Sequence, residues 1–557
     1  MRPSCLVGLA SVLLARLVSA AIGPVGDLTI VNKQLAPDGY QRRYALGGSF
    51  GELFIDVSSS TVVAGDTFPG PLIRGNKGDN FQINVHNNLT DTSMDLVTSV
   101  HWHGIDMHHT SFMDGVPFVT QCPIVPGGSY LYNFTTREQA GTFWYHSHYS
   151  GQYCDGLRGP LVIYDPEDPH KDLYDVDDES TVITLSDWYH YMSPNAPAIP
   201  SPSSALINGK GRCIDNGTTL ADSSLAVISV EPGKRYRFRL LSMSCDSNFV
   251  FSIDRHPMTI IEVDGSNVEP LKVDSITIYP AQRYSFILEA NQHADNYCEP
   301  LSSSVLIARA YSVLPGMRSL PSAPIAQTTN SGVNSAILRY RGAPHTRPAT
   351  KQVNSTLPLV ETNLHPLVPS PVPGKPKYGG VDKSIRLDVT FDGKIFLVNN
   401  VTYASPEVPI LLQILSGTTK PQELLPSGSI YGLKRNQTVE VTIPGGVISL
   451  AHPIHLHGHS FYVVKSAGNS SFNFENPVLR DTVAMGAEEG DDIVIRFVTD
   501  NPGPWIIHCH IDWHLSVGFA AVMVEDIEDM AADQDVPESW KQLCPAYDAF
   551  TNKTKGK

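Results

Sequence analysis

The chain has 557 residues, 41% of them hydrophobic and 17% charged, with a formal charge of −16. That length allows roughly three or four domains at ~150 residues each, and the composition is that of a soluble globular protein. So acidic a surface repels nucleic acid and anionic membranes, which excludes those partners.

Residues 1–20 read as a secretory signal: Arg2 supplies the positive start, Leu6 to Leu17 is mostly apolar, and Val18-Ser19-Ala20 ends in small residues suited to cleavage. Arg16 interrupts the apolar run, which is shorter than the ~20 residues a membrane span needs. Cleavage removes two arginines and no acid, so the mature chain is two charges more negative than −16. A secreted, extracellular protein is expected, without a membrane anchor.

With 43 Gly and 42 Pro, turns and short strands are favoured over long helices. Phe81-Gln82-Ile83-Asn84-Val85, Tyr236-Arg237-Phe238-Arg239-Leu240 and Ile493-Val494-Ile495-Arg496-Phe497 alternate as half-buried strands do. Related phrases precede them: Gly78-Asp79-Asn80, Glu231-Pro232-Gly233 and Glu489-Gly490-Asp491. These suggest one hairpin repeated in three all-β domains, over 21–168, 169–336 and 337–557, built as sandwiches or barrels. Helical periodicity is scarce, and the clearest candidate, near Pro537 to Leu543, is short.

Eight N-glycosylation sequons fit export: Asn88, Asn133, Asn216, Asn354, Asn400, Asn436, Asn469 and Asn552. Cys5 leaves with the signal and Cys509 sits among histidines, so Cys122, Cys154, Cys213, Cys245, Cys298 and Cys544 remain. Secretion makes disulfides expected, and the residues alone do not choose among the pairings.

Ten of the 20 histidines fall in four clusters: His101-Trp102-His103, His146-Ser147-His148, His452-Pro453-Ile454-His455-Leu456-His457 and His508-Cys509-His510-Ile511-Asp512-Trp513-His514. Each contains His-x-His, which a strand presents on one face. On the last run Cys509 points away from His508 and His510, so one segment can join two metal centres. Four His-x-His pairs provide eight imidazoles and leave His452, Cys509 and His514. Two imidazoles and a thiolate match a trigonal blue-copper site. Zinc accepts the same ligands but has no second oxidation state for a relay to serve. His108, His109, His190 and His256 read as solvent-facing or core hydrogen-bonding residues, and His459 as a support for the cluster.

Four segments carry a family resemblance: His101-Trp102-His103-Gly104, Gly141-Thr142-Phe143-Trp144-Tyr145-His146-Ser147-His148, His452 through Gly458-His459, and Gly503-Pro504-Trp505-Ile506-Ile507-His508-Cys509-His510. They resemble the signatures of multicopper oxidases, and the chain resembles fungal laccases of the basidiomycete type from Ala21 to Pro545. The resemblance implies three cupredoxin-like Greek-key β-barrel domains and four copper ions. By motif position, His452, Cys509 and His514 would hold the type 1 copper, and His101 and His455 the type 2 copper. His103, His146 and His510 would hold one type 3 copper, and His148, His457 and His508 the other. Phe519, ten residues after Cys509, would stand at the axial position, where no thioether stabilises Cu(II) and the potential rises.

The implied reaction is one-electron oxidation of phenols and aromatic amines near His514, coupled to four-electron reduction of O2 to water. Its partners would be small aromatics and O2, the protein a monomer, and its role lignin degradation or detoxification of lignin-derived products. Asp246 matches the family's substrate-pocket acid, which takes the phenol proton, and Asp114 an acid near the type 2 copper that assists proton delivery. Asp512 would support the type 1 relay. The resemblance also implies the pairs Cys122–Cys544 and Cys154–Cys245, and a third bridge between Cys213 and Cys298 is expected. From Cys298 to Asn330 the sequence departs from the family, as a surface insertion or as unspliced intron sequence. Two rivals are a ferroxidase, for which no acidic cluster beyond Asp246 is evident, and a non-catalytic copper-binding cell-wall glycoprotein, which would lack ligands.

Overall fold

The computed structural model describes residues 21–45, 56–58, 60–215, 218–220, 223–303, 335–346, 348 and 354–555. The expected signal, the sequon Asn216 and residues 304–330 of the divergent segment lie outside them, as does the side chain of Cys298.

Alternation becomes architecture along the strand Asn80–Asn88. Phe81, Ile83 and Val85 are fully buried, while the intervening polar residues keep partial contact with water. Its antiparallel neighbour Ser129–Thr135 buries Tyr130, Tyr132 and Phe134 against the same core. Early in the chain two four-stranded sheets form. One runs Thr61–Ala64, Val25–Lys33, Asn80–Asn88, Ser129–Thr135, and the other Ile73–Asn76, Arg158–Tyr164, Gly141–His146, His101–His103. The middle of the chain builds a six-stranded and a five-stranded sheet, and its C-terminal stretch adds a pair of five-stranded sheets.

The three repeated phrases share one turn geometry but are not the expected hairpin, because each turn joins strands of two different sheets: Ile73–Asn76 to Asn80–Asn88, Val227–Val230 to Arg235–Ser242, and Thr482–Met485 to Ile493–Val498. Gly78, Gly233 and Gly490 have φ of +83°, +82° and +82°, and each turn feeds one of the alternating strands. Only glycine takes that left-handed geometry without strain, which is why the phrase recurs.

Among the described residues helices are mostly single turns, as the composition suggests, with one long exception. The expected short helix near Pro537 is Glu538–Lys541, and a longer one, Leu543–Lys555, follows. Its weak periodicity hid it, because tertiary tethers hold it. Cys544 is bonded to Cys122, and Tyr547 packs edge-on against Phe118 at 5.5 Å.

Candidate metal centre

The strand Gly503–Cys509 is buried along its whole length, between His452–Leu456 and Ala520–Glu525. Pairing sets His455 opposite His508 and Ile454 opposite Cys509. The same device recurs near the start of the chain, where His101 stands opposite His146. Two histidine-bearing strand pairs, one from each end of the chain, thus face a common space.

On one side of the strand lies a trio. Cys509 Sγ is 3.6 Å from Nδ1 of His452 and 3.6 Å from Nδ1 of His514, and the two nitrogens are 3.1 Å apart. A cation ~2.0 Å from each nitrogen and ~2.3 Å from sulfur fits inside that triangle. Burial lowers the imidazole of His452 to about 4 and holds His514 well below the usual range, so both are neutral, as ligands must be. Burial also pushes the Cys509 thiol well up, so a thiolate there requires a cation beside it. His514 is half-buried whereas His452 and Cys509 are buried, which makes the His514 edge the approach from solvent. Phe519, buried, sets its ring 5.2 Å from that of His452 and 5.0 Å from that of Phe396.

On the other side, eight imidazoles converge. His103, His146 and His510 form one group of mutually close ligand atoms, His148, His457 and His508 a second, and His101 and His455 join His103 in a third. Outward nitrogens are tied down: His101 Nδ1 to the carbonyl of Asp114 at 2.7 Å, His455 Nδ1 to that of Asp481 at 2.8 Å, and His508 Nδ1 to that of Cys509 at 2.9 Å. Inward, Nε2 of His101, His146, His148 and His455 is buried without a hydrogen-bond partner. Nε2 of His457 and Nε2 of His508 face each other at 3.1 Å. Lone pairs opposed in a dry space are repulsive unless cations lie among them, so these donors fit metal ions. Burial, reinforced by neighbouring rings, holds His103, His146, His148, His455, His457 and His510 well below the ordinary imidazole range.

Two carboxylates brace the cluster. Asp114 accepts from His457 Nδ1 at 2.9 Å and lies 3.1 Å from His101 Nδ1. Asp481 lies 3.2 Å from His103 Nε2 and receives a two-pronged contact from Arg283, at 2.7 and 2.6 Å. Arg283 also donates to the Thr142 carbonyl and faces Asp264, so it joins early, middle and late segments. Asp481 and Arg283 were missed at the sequence level, since a single acid and a single base carry no spacing pattern.

Asp246 stands on a loop pinned by Asp187, whose carboxylate accepts the backbone N–H of Cys245, Asp246 and Ser247 at 2.9 to 3.0 Å. Burial, with Asp187 adding to it, raises the Asp246 carboxyl to about 7. The Asp512 N–H donates to the Cys245 carbonyl at 3.0 Å, which brings this loop beside the Cys509 run. Cys154 and Cys245 are bonded, and Asp512 Oδ2 lies 3.2 Å from Cys154 Sγ. Burial pushes the Asp512 carboxyl to about 8. Among the other histidines, His190 bonds Asp38, His256 bonds Tyr340, His108 and His109 meet edge to face, and His459 bonds Glu525. Cys213 is buried close to Asp38 and His190.

Three multicopper oxidase family models match residues 53–168, 179–314 and 403–529. The chain belongs to the multicopper oxidase family. It is 53% identical to Laccase-5 of Trametes villosa over 96% of this chain and 95% of that one. It is 51% identical to a laccase of Phlebia radiata over 95% of each. Among solved structures, the laccase of Botrytis aclada superposes with a TM-score of 0.77 at 30% identity, covering 95% of this chain and 93% of that one. Fet3p, a multicopper oxidase that functions in iron import, gives 0.77 at 27% identity, covering 94% and 95%. This multicopper oxidase is thus a laccase-type oxidoreductase of the basidiomycete kind, copper-dependent, with a multidomain cupredoxin-like fold.

Proposed function

We propose that the chain oxidises phenols and aromatic amines one electron at a time at the His514 edge and passes the electrons to O2 at the eight-imidazole cluster. The supporting observation is the placement of Cys509. Its sulfur joins the His452–His514 pair, while its chain neighbours His508 and His510 belong to two different groups of close imidazoles. Four coppers would be held: type 1 by His452, Cys509 and His514, type 2 by His101 and His455, and a type 3 pair by His103, His146 and His510 with His148, His457 and His508. When bound, they would supply the redox chemistry, one-electron oxidation on one side and reduction of O2 to water on the other.

The protein's own residues do the rest. The backbone on either side of Cys509 provides two covalent paths between the sites. Phe519 and Phe396 keep water and donor atoms from one side of the trio. Asp246, with its carboxyl near 7, is poised to take the phenolic proton as the electron leaves, which avoids a radical cation. Asp114 orients His101 and His457 and is placed to hold a proton beside the cluster. Cleavage after Ala20 would release a glycosylated, extracellular monomer. Six of the seven described sequon asparagines, all but Asn469, are exposed, and among the described residues no helix is long and apolar enough to cross a membrane. Lignin-derived phenols are the substrate class that such an enzyme would meet outside the cell.

The test is a metal count with a visible spectrum of the secreted protein. Four coppers per chain and a strong band near ~600 nm are expected, the latter lost with one copper in Cys509→Ser. Steady-state rates with a dimethoxyphenol should exceed those with Fe(II). A colourless, copper-loaded, oxidised preparation would overturn the reading, and preference for Fe(II) would replace it with a ferroxidase.

A further inference from the structure

Among the described residues, the large apolar side chains that stand most exposed include only two aromatics, Tyr378 at 54% and Phe472 at 39%. They touch each other, with ring centroids 5.4 Å apart, and Phe472 stacks on Phe474 at 5.6 Å. Both line a cleft of about 720 Å³ on the outer face of the C-terminal stretch, rimmed by Lys465, Asp491 and Asp492. That size suits a small molecule of a few rings. The lining pairs flat apolar faces with carboxylates that accept hydrogen bonds, the combination that fits a sugar, whose ring has C–H faces and hydroxyl edges. Asn469, of the sequon Asn469-Ser470-Ser471, lines this cleft and a neighbouring one of about 190 Å³, which also shares Phe472. Its Oδ1 accepts the Ser471 N–H at 3.0 Å, its N–H donates to the Ser466 carbonyl at 3.3 Å, and neither bond uses the side-chain amide nitrogen. The other described sequon asparagines are exposed, whereas Asn469 is half-buried at the cleft wall.

We infer that Asn469 carries an N-glycan whose first sugars lie in this cleft, stacked on Tyr378 and Phe472 and hydrogen-bonded to its acidic rim. This rests on the proposed export of the chain. A contact between one sugar and an aromatic ring is weak for a free ligand. A short covalent tether provides an effective concentration of about millimolar or more, which favours the chain's own glycan over an unattached polysaccharide. The glycan covers an aromatic patch that would otherwise face solvent beside an acidic loop.

Site-resolved glycopeptide mass spectrometry on the secreted holoenzyme tests this, during native digestion with an endoglycosidase that cuts high-mannose cores. Asn469 should be occupied and be trimmed at least tenfold more slowly than Asn436 or Asn354. In Tyr378→Ser/Phe472→Ser the difference should fall below threefold, with blue absorption intact as the check on folding. A second measurement needs no aromatic variant: hydroxyl-radical labelling of Phe472 should rise at least threefold in Asn469→Gln. A bare Asn469 with the other sites occupied overturns the inference alone, and so does equally fast trimming or unchanged labelling. A secreted protein without glycan at any site overturns it with the glycosylation on which it rests.

Discussion

Asp114 Oδ2 accepts a hydrogen bond at 2.9 Å from Nδ1 of His457, a residue 343 positions further along the chain. The other oxygen of the same carboxylate lies 3.1 Å from Nδ1 of His101. The side chain therefore sets the tautomer of His457, while the backbone carbonyl of the same residue accepts from His101 Nδ1 at 2.7 Å, so one residue turns an Nε2 from each end of the protein toward the cluster. Partners of this kind are worth about 10–100-fold in metal affinity or activity. Asp114→Ala should reduce O2 turnover by about that factor. The blue band of the Cys509 site should persist, since Asp114 touches none of its three ligands. Equal loss of the blue band would show that the carboxylate merely supports the fold.

Arg283 is fully buried between Asp481 and Asp264, and Arg480 shares Asp264 at 2.9 Å. Removing one partner of a buried pair leaves an uncompensated charge, at a cost of about 3–5 kcal/mol. Arg283→Met should lower the thermal transition of the copper-free protein accordingly and weaken copper retention by the His103 and His455 side of the cluster. An unchanged transition, read by calorimetry, would mean that packing alone joins these segments.

The Asp246 carboxyl lies near 7, raised by burial and then by Asp187. Only its ionised form accepts a proton, so its contribution to phenol oxidation should grow as pH rises toward and through about 7. Asp246→Asn should remove that rising limb and lower kcat/KM for a phenol by roughly 10²-fold. A donor that loses an electron without a proton should change by less than about threefold.

The same shift has a stability consequence of opposite sense. The unfolded carboxyl ionises near 3.8 while the folded one stays neutral to about 7, so stability is lost as pH rises across that window. Asp246→Asn should therefore be the more stable protein at pH 8, with the advantage vanishing below about pH 4. Chemical denaturation at the two pH values checks the sign.

Phe519 packs against His452 and Phe396 and offers copper no donor atom. Phe519→Met keeps an apolar filler of similar size and adds a thioether. The type 1 potential should fall, with about 59 mV corresponding to one decade in the one-electron equilibrium. Phenols of high potential should slow more than easily oxidised ones. A potential that stays or rises, measured by redox titration of the blue band, would place the sulfur away from the metal.

Much of the site was legible because its chemistry is periodic. His-x-His on a strand and Cys509 between His508 and His510 are short-range patterns, and the repeated Gly78, Gly233 and Gly490 turns are too. The longest helix among the described residues, Leu543–Lys555, was not legible, because Cys122 and Phe118, distant in sequence, hold it in place. Asp481 and Arg283 were hidden for the same reason, since a lone charge acquires meaning only from what it is buried against.

The alternating strands, the glycine turns before them and the inventory of ten histidines and one cysteine can be read from the residues alone, because each depends on neighbours a few residues away. Tertiary structure alone decided which imidazole faces which, that Asp114 and Asp481 orient them, and that Arg283 fastens three distant segments together. Those relations join residues hundreds of positions apart, and only burial in a shared core gives such pairs a fixed geometry and the low dielectric that makes it count.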